Sequence, residues 1–374
     1  MREGWGIAQL GQLCRVRTGK KDVNQGNPQG KYPFFTCAAE HTYSDSFSFD
    51  TEALLIAGNG NVGQVSYYNG KFEAYQRTYV VSDFKRVLPR YLYLILDGKL
   101  KETVSKQKLG NTMPYIKVGM LTGFQVPVPP LPEQQRIVAL LDDAFDGIAT
   151  AKANAEQNLK NARELFESHL QSVFTQRGEG WVETRLDELC EVKDGTHESP
   201  RYVDDGIPFV TQKNIRIDGL SFANTKFIDK EDHAKFYKRS NVACGDIIIS
   251  MIGANRGMSC IVDDNRTFSI KNVGLVKASD RINTRFLLYF LKSPLAVSYV
   301  SSKSKGGAQE FIGLTELRKL PVVFPKSGQQ VALVAELDQL YAASRCLESI
   351  YQQKLAALDE LKKSLLHKAF NGEL

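Results

Sequence analysis

The side chains of this sequence that could do chemistry are ones that recognise a polar, anionic partner. In Gly253-Ala254-Asn255-Arg256-Gly257, Arg256 offers the planar fork that grips a guanine edge or a phosphate, and Asn255 the amide that pairs with adenine. A tight turn with a solvated arginine is the competing reading, because base contact does not follow from residue type alone. Lys106, Lys108, Asn111 and Thr112 share one polar glycine-containing loop, and Lys303, Lys305 and Gln309 occupy a similar loop later in the chain. Basic loops of this kind suit phosphate or groove contact, although they are also ordinary at protein surfaces. Thr211, Gln212, Lys213 and Asn214, with Gln76 and Arg77, are polar clusters beside apolar runs, fit either for DNA contact or for holding local backbone. Lys20 and Lys21 are weaker candidates of the same type.

Catalysis and cofactors find no support. Gly58-Asn59-Gly60-Asn61-Val62-Gly63 has the glycine spacing of a dinucleotide fingerprint, and Asp83 lies downstream of it. That fingerprint needs a helix next, whereas Gln64 to Tyr68 reads as a strand. A Gly-Asn loop between strands is better suited to bringing Asn59, Asn61 and nearby backbone close to DNA. The chain has no HExxH, P-loop, GxSxG or Asn-Pro-Pro-aromatic run, and its five histidines have no metal-ligand spacing. Neither a cofactor nor a metal is expected.

Two copies of one pattern must position these residues. Trp5, Leu10, Leu13, Cys14, Val16 and Gly19 recur 176 residues later as Trp181, Leu186, Leu189, Cys190, Val192 and Gly195. Leu54-Leu55-Ile56 with Gly60 and Gly63 is echoed by Ile247-Ile248-Ile249 with Gly253 and Gly257, and Tyr91 to Leu96 by Phe286 to Leu291. Gly110, Ile116 and Leu121 return as Gly306, Ile312 and Leu317, so the second copy carries insertions, mostly between Gly195 and Gly245. A period this long implies two domains, since solenoid units span roughly 20 to 50 residues. Aromatic and β-branched runs broken by turn dipeptides such as Asn69-Gly70 predict mostly-β domains, and Arg90 to Leu96 and Arg285 to Leu291 predict buried helices. Net charge is +6 over residues 1–130, +2 over 179–325 and −2 over 131–178, which places the positive charge in the globular parts. Six cysteines without CxxC spacing, an N-terminus without a signal-peptide core and apolar runs too short for a bilayer predict a reduced, cytoplasmic protein with no membrane span.

Each copy ends in a long amphipathic helix. Val126 to Pro132 forbids helix before Pro132, which suits a first helical position. Leu141, Ile148, Ala155 and Ala162, alongside Phe145, Leu159, Phe166 and Val173, form a heptad seam broken by Lys152. The second copy repeats it with Leu333, Leu340, Leu347 and Leu361 in one row and Leu337, Tyr351, Leu358 and Leu365 in the other, broken by Ser344 and Lys354. Gly178 and Gly372 are expected at the helix ends. Helices this long need a partner, and a pseudo-two-fold axis would pair them antiparallel with a domain at each end of a rod. Such a rod would act as a ruler for two unlike half-sites on one duplex, because the two domains differ inside.

Leu131-Pro132-Glu133-Gln134-Gln135-Arg136-Ile137, Gly206-Ile207-Pro208-Phe209-Val210, Gly245-Asp246-Ile247-Ile248 and the terminal Ala369 to Leu374 closely resemble specificity subunits of type I restriction-modification enzymes, in the same domain-helix-domain-helix order. The resemblance implies an α+β chain: target recognition domains at 1–130 and 179–325, and spacer helices at 131–178 and 326–374 pairing as an antiparallel coiled coil. It also implies a non-catalytic subunit that binds double-stranded DNA at an asymmetric bipartite target. Two adenine-N6 methyltransferase subunits and ATP-dependent restriction subunits would be its partners, with the helices as the platform. Glu133, Gln134, Gln135 and Arg136, with Gln329 and Gln330, are the partner contacts this suggests, and Lys326-Ser327-Gly328-Gln329-Gln330 in place of Leu131-Pro132-Glu133-Gln134-Gln135 speaks against equal contacts at the two helix starts. The alternative is a coiled-coil adaptor whose domains bind proteins.

Overall fold

The computed structural model describes residues 4–105, 115–306 and 310–374. It is a mixed helix and sheet protein of two compact units, one of residues 1–157 and 352–374 and the other of 158–351. The first copy of the repeat lies in the first unit and the second copy in the second, and each unit takes a portion of both long helices, Leu131–Thr175 and Ser327–Asn371.

In the first unit a six-stranded sheet runs in the order Arg15–Thr18, Thr78–Ser82, Phe49–Ala57, Val65–Ala74, Tyr32–Phe35, Thr42–Ser44. The apolar run Ala53 to Ala57 is its buried centre. The expected turn at Asn69-Gly70 does not exist: both residues lie inside the ten-residue strand Val65–Ala74, opposite Glu52 and Thr51. Unbroken pairing with Phe49–Ala57 outweighs the local turn preference, and Gly70 only adopts a positive φ of 131° there. Gly19 has a physical reason to recur as Gly195. A Cβ on Gly19 would come 1.8 Å from the Ala74 carbonyl oxygen, and one on Gly195 2.4 Å from that of Ile270, because a strand end runs beneath each.

The second unit repeats this frame in pieces. Val192–Asp194, Val273–Val276, Ile247–Ser250 and Ser259–Ile261 form one four-stranded sheet, and Tyr202–Val203, Lys226–Ile228, Ile207–Val210 and Ser269–Ile270 another. Phe34 and Phe35 pair in parallel with Glu73 and Ala74, and Phe209 and Val210 pair likewise with Ser269 and Ile270. The counterpart of the single strand Val65–Ala74 is therefore two short strands parted by Val262 to Phe268. The inserted sequence before Gly245 supplies the helix Lys230–Ser240 and the short pair Ile215–Arg216 with Gly219–Leu220.

Each unit docks its helices the same way. The backbone N–H groups of Glu133 and Gln134 donate to the Pro130 carbonyl, and those of Gln329 and Gln330 to that of Lys326. Leu131 thus corresponds to Ser327, one residue away from the sequence alignment, and the first helix begins one residue before Pro132. The expected glycine cap holds at Gly372, with φ of 77°, and fails at Gly178, because the first helix stops at Thr175 and the left-handed backbone is at Gly180. Ile137, Leu141, Leu366, Ala369 and Phe370 join the first unit's core, and Leu170, Phe174 and Leu337 the second's. Leu141, Ile148, Ala155 and Ala162 are buried, whereas Leu347 and Leu361 are exposed and the buried position near them is Ser344. All six cysteines are free, and among the described residues no helix is long and apolar enough to cross a membrane.

Candidate nucleic-acid interface

The polar candidates gather where the strand bearing the central apolar run ends. In the first unit, the loop after Phe49–Ala57 carries Asn59, half-buried, and Asn61, exposed. It is fixed by its own backbone: Gly58 N–H donates to the Arg77 carbonyl at 3.0 Å, Asn61 N–H to that of Cys37 at 3.3 Å, and Ile116 N–H to that of Gly58 at 3.0 Å. A Cβ on Gly58 would sit 2.4 Å from the Arg77 carbonyl oxygen, so glycine there serves close packing. The next element is the strand Val65–Ala74, as the sequence reading required for rejecting a dinucleotide site.

Gln76 and Arg77 join this loop around an open cleft of ≈ 440 Å³, which Thr18, Tyr115 and Lys117 also line. Gln76 donates to Asp22 Oδ2 at 3.0 Å. The exposed Arg77 guanidinium makes no hydrogen bond or ion pair among the described residues, which leaves it available to an anion. Burial holds the Tyr79 phenol above its ordinary range, with its O–H donating to the Ile116 carbonyl at 2.8 Å on the cleft wall. Thr18 and Lys117 were not singled out from sequence, and only their adjacency to the repeat markers Gly19 and Ile116 could have flagged them. Lys106, Lys108, Asn111, Thr112 and Gln309 lie outside the described residues.

In the second unit the corresponding turn is stitched the same way. Ile312 N–H donates to the Met251 carbonyl at 2.9 Å, Gly253 N–H to that of Glu310 at 2.9 Å, and Lys305 and Phe311 exchange two bonds of 2.8 Å. This brings Asn255 and Arg256 next to Lys305, with Lys303 ending the helix Pro294–Lys303; Asn255 and both lysines are exposed. Arg256 is not a free reader. Its Nη1 donates to the Gly253 carbonyl at 2.8 Å, Nη2 pairs with Glu310, and buried Nε has no partner among the described residues. To reach a base or a phosphate the guanidinium must leave Glu310. Gln212 lies against this turn, its Nε2 4.0 Å from where a Gly253 Cβ would stand.

Three of the chosen side chains are committed to the protein itself. Asn214 is buried: its Oδ1 accepts from Thr211 N–H at 2.8 Å and its Nδ2 donates to the Ser221 carbonyl and Thr225 Oγ1, both at 2.9 Å. It pins the inserted loop with its amide engaged inside the protein, while Thr211 caps the short turn Gln212–Asn214 and Lys213 remains exposed. Gln134 and Gln330 are likewise removed from the expected partner contacts. Gln134 Oε1 accepts from Leu88 N–H at 2.8 Å and its Nε2 donates to the Arg86 and Pro129 carbonyls at 2.9 Å. Gln330 Oε1 accepts from Asn283 N–H at 2.9 Å and its Nε2 donates to the Pro325 carbonyl at 2.8 Å. The sequence marked these residues correctly as special and misjudged why, since they staple each helix start to its domain. Gln135 and Gln329 are exposed, and Arg136 donates to both Glu133 oxygens and to the Leu374 carbonyl. No group of acidic, cysteine and histidine side chains among the described residues could hold a metal.

Among known proteins, the chain is 27% identical to the specificity subunit of the type I restriction enzyme EcoDI of Escherichia coli, over 99% of this chain and 88% of that one. It is 21% identical to the MjaVIII specificity subunit of Methanocaldococcus jannaschii, over 100% and 93%. In fold it is similar to a chain solved in work on complex assembly and conformational transition of the type I R-M system, with a TM-score of 0.80, 19% identity and coverage of 100% and 99%. The HsdS subunit from Thermoanaerobacter tengcongensis follows at a TM-score of 0.62, 19% identity and coverage of 100% and 98%. The family model for the type I restriction modification DNA specificity domain matches twice, at residues 2–161 and 178–355, and the chain belongs to that family.

Proposed function

We infer that this chain is the non-catalytic specificity subunit of a type I restriction-modification enzyme, working in the cytoplasm. It reads an asymmetric bipartite duplex target and docks two methyltransferase subunits and restriction subunits, which carry the adenine-N6 methylation and ATP-dependent cleavage. The observation that carries this reading is the pair of stitched loops: one frame is built twice, yet it offers Asn59, Asn61, Gln76 and Arg77 in one unit and Gln212, Asn255, Arg256, Lys303 and Lys305 in the other. Two similar frames with unlike contact residues suit two unlike half-sites. Replacing residues 1–130 with the equivalent domain of a relative tests it. Sequencing of methylated sites in the host should then show one half of the site changed and the other kept; a change in both halves, or in neither, counts against it.

The division into recognition domains at 1–130 and 179–325 and spacer helices at 131–178 and 326–374 belongs to the same proposal. So does the pairing of the long helices as an antiparallel coiled coil with pseudo-two-fold symmetry. Supporting it, Lys152 Nζ meets Asp359 Oδ1 at 2.5 Å in the first unit, and in the second Ser344 Oγ donates to the Ala162 carbonyl at 2.5 Å while Arg163 faces Glu348 at 3.4 Å. Within the second unit the ion-pair partners run backwards, from Glu348 opposite Arg163 to Glu336 opposite His169. A bifunctional thiol reagent with a reach of about 10 Å should crosslink Lys152→Cys to Asp359→Cys in the folded chain, and its failure to do so would contradict this register. Half-buried Glu133 and exposed Gln135 and Arg136 at one helix start, and exposed Gln329 at the other, remain the proposed partner contacts.

A further inference from the structure

The inserted stretch of the second unit makes a basic cleft with no counterpart at the equivalent strand of the first unit among the described residues. It is open, ≈ 460 Å³, and lined by Lys213, Arg216, Lys226, Asn224 and the rings of Tyr202 and Phe209, with no acidic side chain in its wall. The three cations are exposed, and none has a carboxylate partner among the described residues. Other basic side chains of this unit do pair with carboxylates, among them Arg239 with Asp194, Arg256 with Glu310, Arg266 with Asp264, Lys277 with Asp246 and Arg285 with Asp338. Like charges left uncompensated around one concavity repel each other, so the arrangement is stabilised when an anion enters.

The frame positions this cleft. Lys226 sits opposite Phe209 in the strand ladder, with its ammonium 4.4 Å from the centroid of the Tyr202 ring, which holds that charge at the mouth. Asn214, the buried pin, fixes the loop that carries Lys213 and Arg216. In the first unit the strand Tyr32–Phe35 matches Ile207–Val210, yet the segment after it lines only a small pocket of ≈ 50 Å³ with no lysine or arginine. The difference is local to the insertion.

We propose that Lys213, Arg216 and Lys226 clasp the phosphodiester backbone of duplex DNA beside the second half-site, giving the second recognition domain a sequence-independent grip at a place where the first has no lysine or arginine. This rests on the DNA-reading function inferred above. Three cations on successive backbone phosphates position the domain without reading bases, and each phosphate neutralised steepens the salt dependence of binding by about 0.9.

The test uses the full chain with its methyltransferase partner and two duplexes, one carrying the methylated site and one without it. Combined Lys213→Ala, Arg216→Ala and Lys226→Ala should weaken binding roughly tenfold or more on both duplexes, and should make the plot of log affinity against log salt shallower by about 2 to 3. Lys213→Arg, Arg216→Lys and Lys226→Arg together should restore the slope, and an unchanged unfolding midpoint shows that the loop stays intact. If the wild type binds with steep salt dependence and the triple variant keeps that slope, the clasp is wrong while DNA reading stands; a wild type without salt-dependent binding sinks DNA reading itself. A triple variant that binds DNA normally and fails to assemble with the methyltransferase would assign the cleft to an acidic protein surface and overturn the proposal. Competition by inorganic phosphate, but not by chloride at equal ionic strength, would mark a single-anion pocket and overturn it too.

Discussion

The ten-residue strand Val65–Ala74 of the first unit and its broken counterpart, Ser259–Ile261 and Ser269–Ile270 of the second, show how one frame comes to carry two surfaces. The continuous strand pairs along its length with Phe49–Ala57 and leaves no room for a loop to settle. In the second unit the break between the two short strands holds Phe268, whose ring packs edge-on against Phe222 at 5.4 Å, and Arg266, whose guanidinium lies 4.2 Å from the centre of the Phe222 ring. Phe222 belongs to the inserted stretch, so the interruption that weakens the ladder is what seats the new loop. Variation between the copies is confined to sites where it costs the shared core little.

That contrast breaks most easily at the shared helix docking. Phe174 and Phe370 are fully or almost fully buried and correspond in the two units, but Phe174 meets the rings of Trp181, Phe286 and Phe290, and Phe370 meets Tyr91 and the ammonium of Lys99. Phe174→Ala and Phe370→Ala should each cost about 3 to 5 kcal/mol, with Phe174 the larger because more aromatic surface loses its partner. Urea unfolding measures both, and equal losses below about 1 kcal/mol would show that the docking is not shared core. The stapling glutamines come next. Gln134→Ala strands three buried or partly buried backbone groups and Gln330→Ala two, so losses of about 2 and about 1 kcal/mol are expected in that order. Gln330→Ala costing more would contradict the equivalence.

The frame was legible in the sequence because repeats survive where packing is strict. Leu10, Leu13 and Cys14 are buried in the first unit and Leu186, Leu189 and Cys190 in the second, and an apolar match at a fixed offset reports such positions directly. The parallel partner strands were equally visible, as Tyr32-Pro33-Phe34-Phe35-Thr36 and Ile207-Pro208-Phe209-Val210-Thr211, and only the second was used. The site was less legible. A polar side chain looks the same in sequence whether it pins a loop, as Asn214 does, staples a helix, as Gln134 does, or faces solvent, as Lys213 does, because its role depends on which backbone groups fold around it. Lys226 stands opposite Phe209 where the first copy has Thr42 opposite Phe34, and Arg216 lies in the insertion, so a search guided by shared residues passed over both.

Arg256 sharpens the comparison in function, since no arginine of the first unit's loop stands in its place. If it leaves Glu310 to read a base, Arg256→Ala should cost about 1 to 3 kcal/mol of binding, selectively in one half-site. Glu310→Gln should tighten binding by removing the competing carboxylate. Equal weakening on every sequence would assign Arg256 to the backbone, and looser binding by Glu310→Gln would make the ion pair part of the bound form.

The corresponding thiols offer a pH test. Burial pushes Cys14 up to about 12 and Cys190 to about 11, the latter rise moderated by a hydrogen bond with Ser279. A thiol that keeps its proton when folded and loses it near 9 when unfolded favours unfolding as pH rises, so stability is full below about pH 9 and declines through about 11 to 12. Cys14→Ala should flatten the alkaline decline more than Cys190→Ala, measured as urea midpoints from pH 8 to 11, and the reverse order would sink the assignment of burial as the main cause. Within the folded chain the exposed Cys244 and Cys346 should react with an alkylating reagent at pH 8 while Cys14 and Cys190 do not.

The smallest difference lies at the helix surface, where Arg90 pairs with Asp142 at 2.6 Å and Arg285 with Asp338 at 2.6 Å. The four side chains are 34 to 53% exposed, so water screens both pairs, and breaking either with Arg90→Gln or Arg285→Gln should cost only about 0.2 to 1 kcal/mol. The pairs differ in one respect. Asp338 also accepts from the Tyr289 hydroxyl, whereas the Tyr91 hydroxyl donates to the Pro127 carbonyl at 3.1 Å and leaves Asp142 to its arginine. Asp338→Asn should therefore disturb a buried tyrosine as well as an arginine and cost more than Asp142→Asn. The gap should persist at high salt, since it comes from a desolvated hydrogen bond and not from the screened charge pair. A gap that closes with added salt would place the whole difference in the ion pairs and make the two helix docks electrostatically alike.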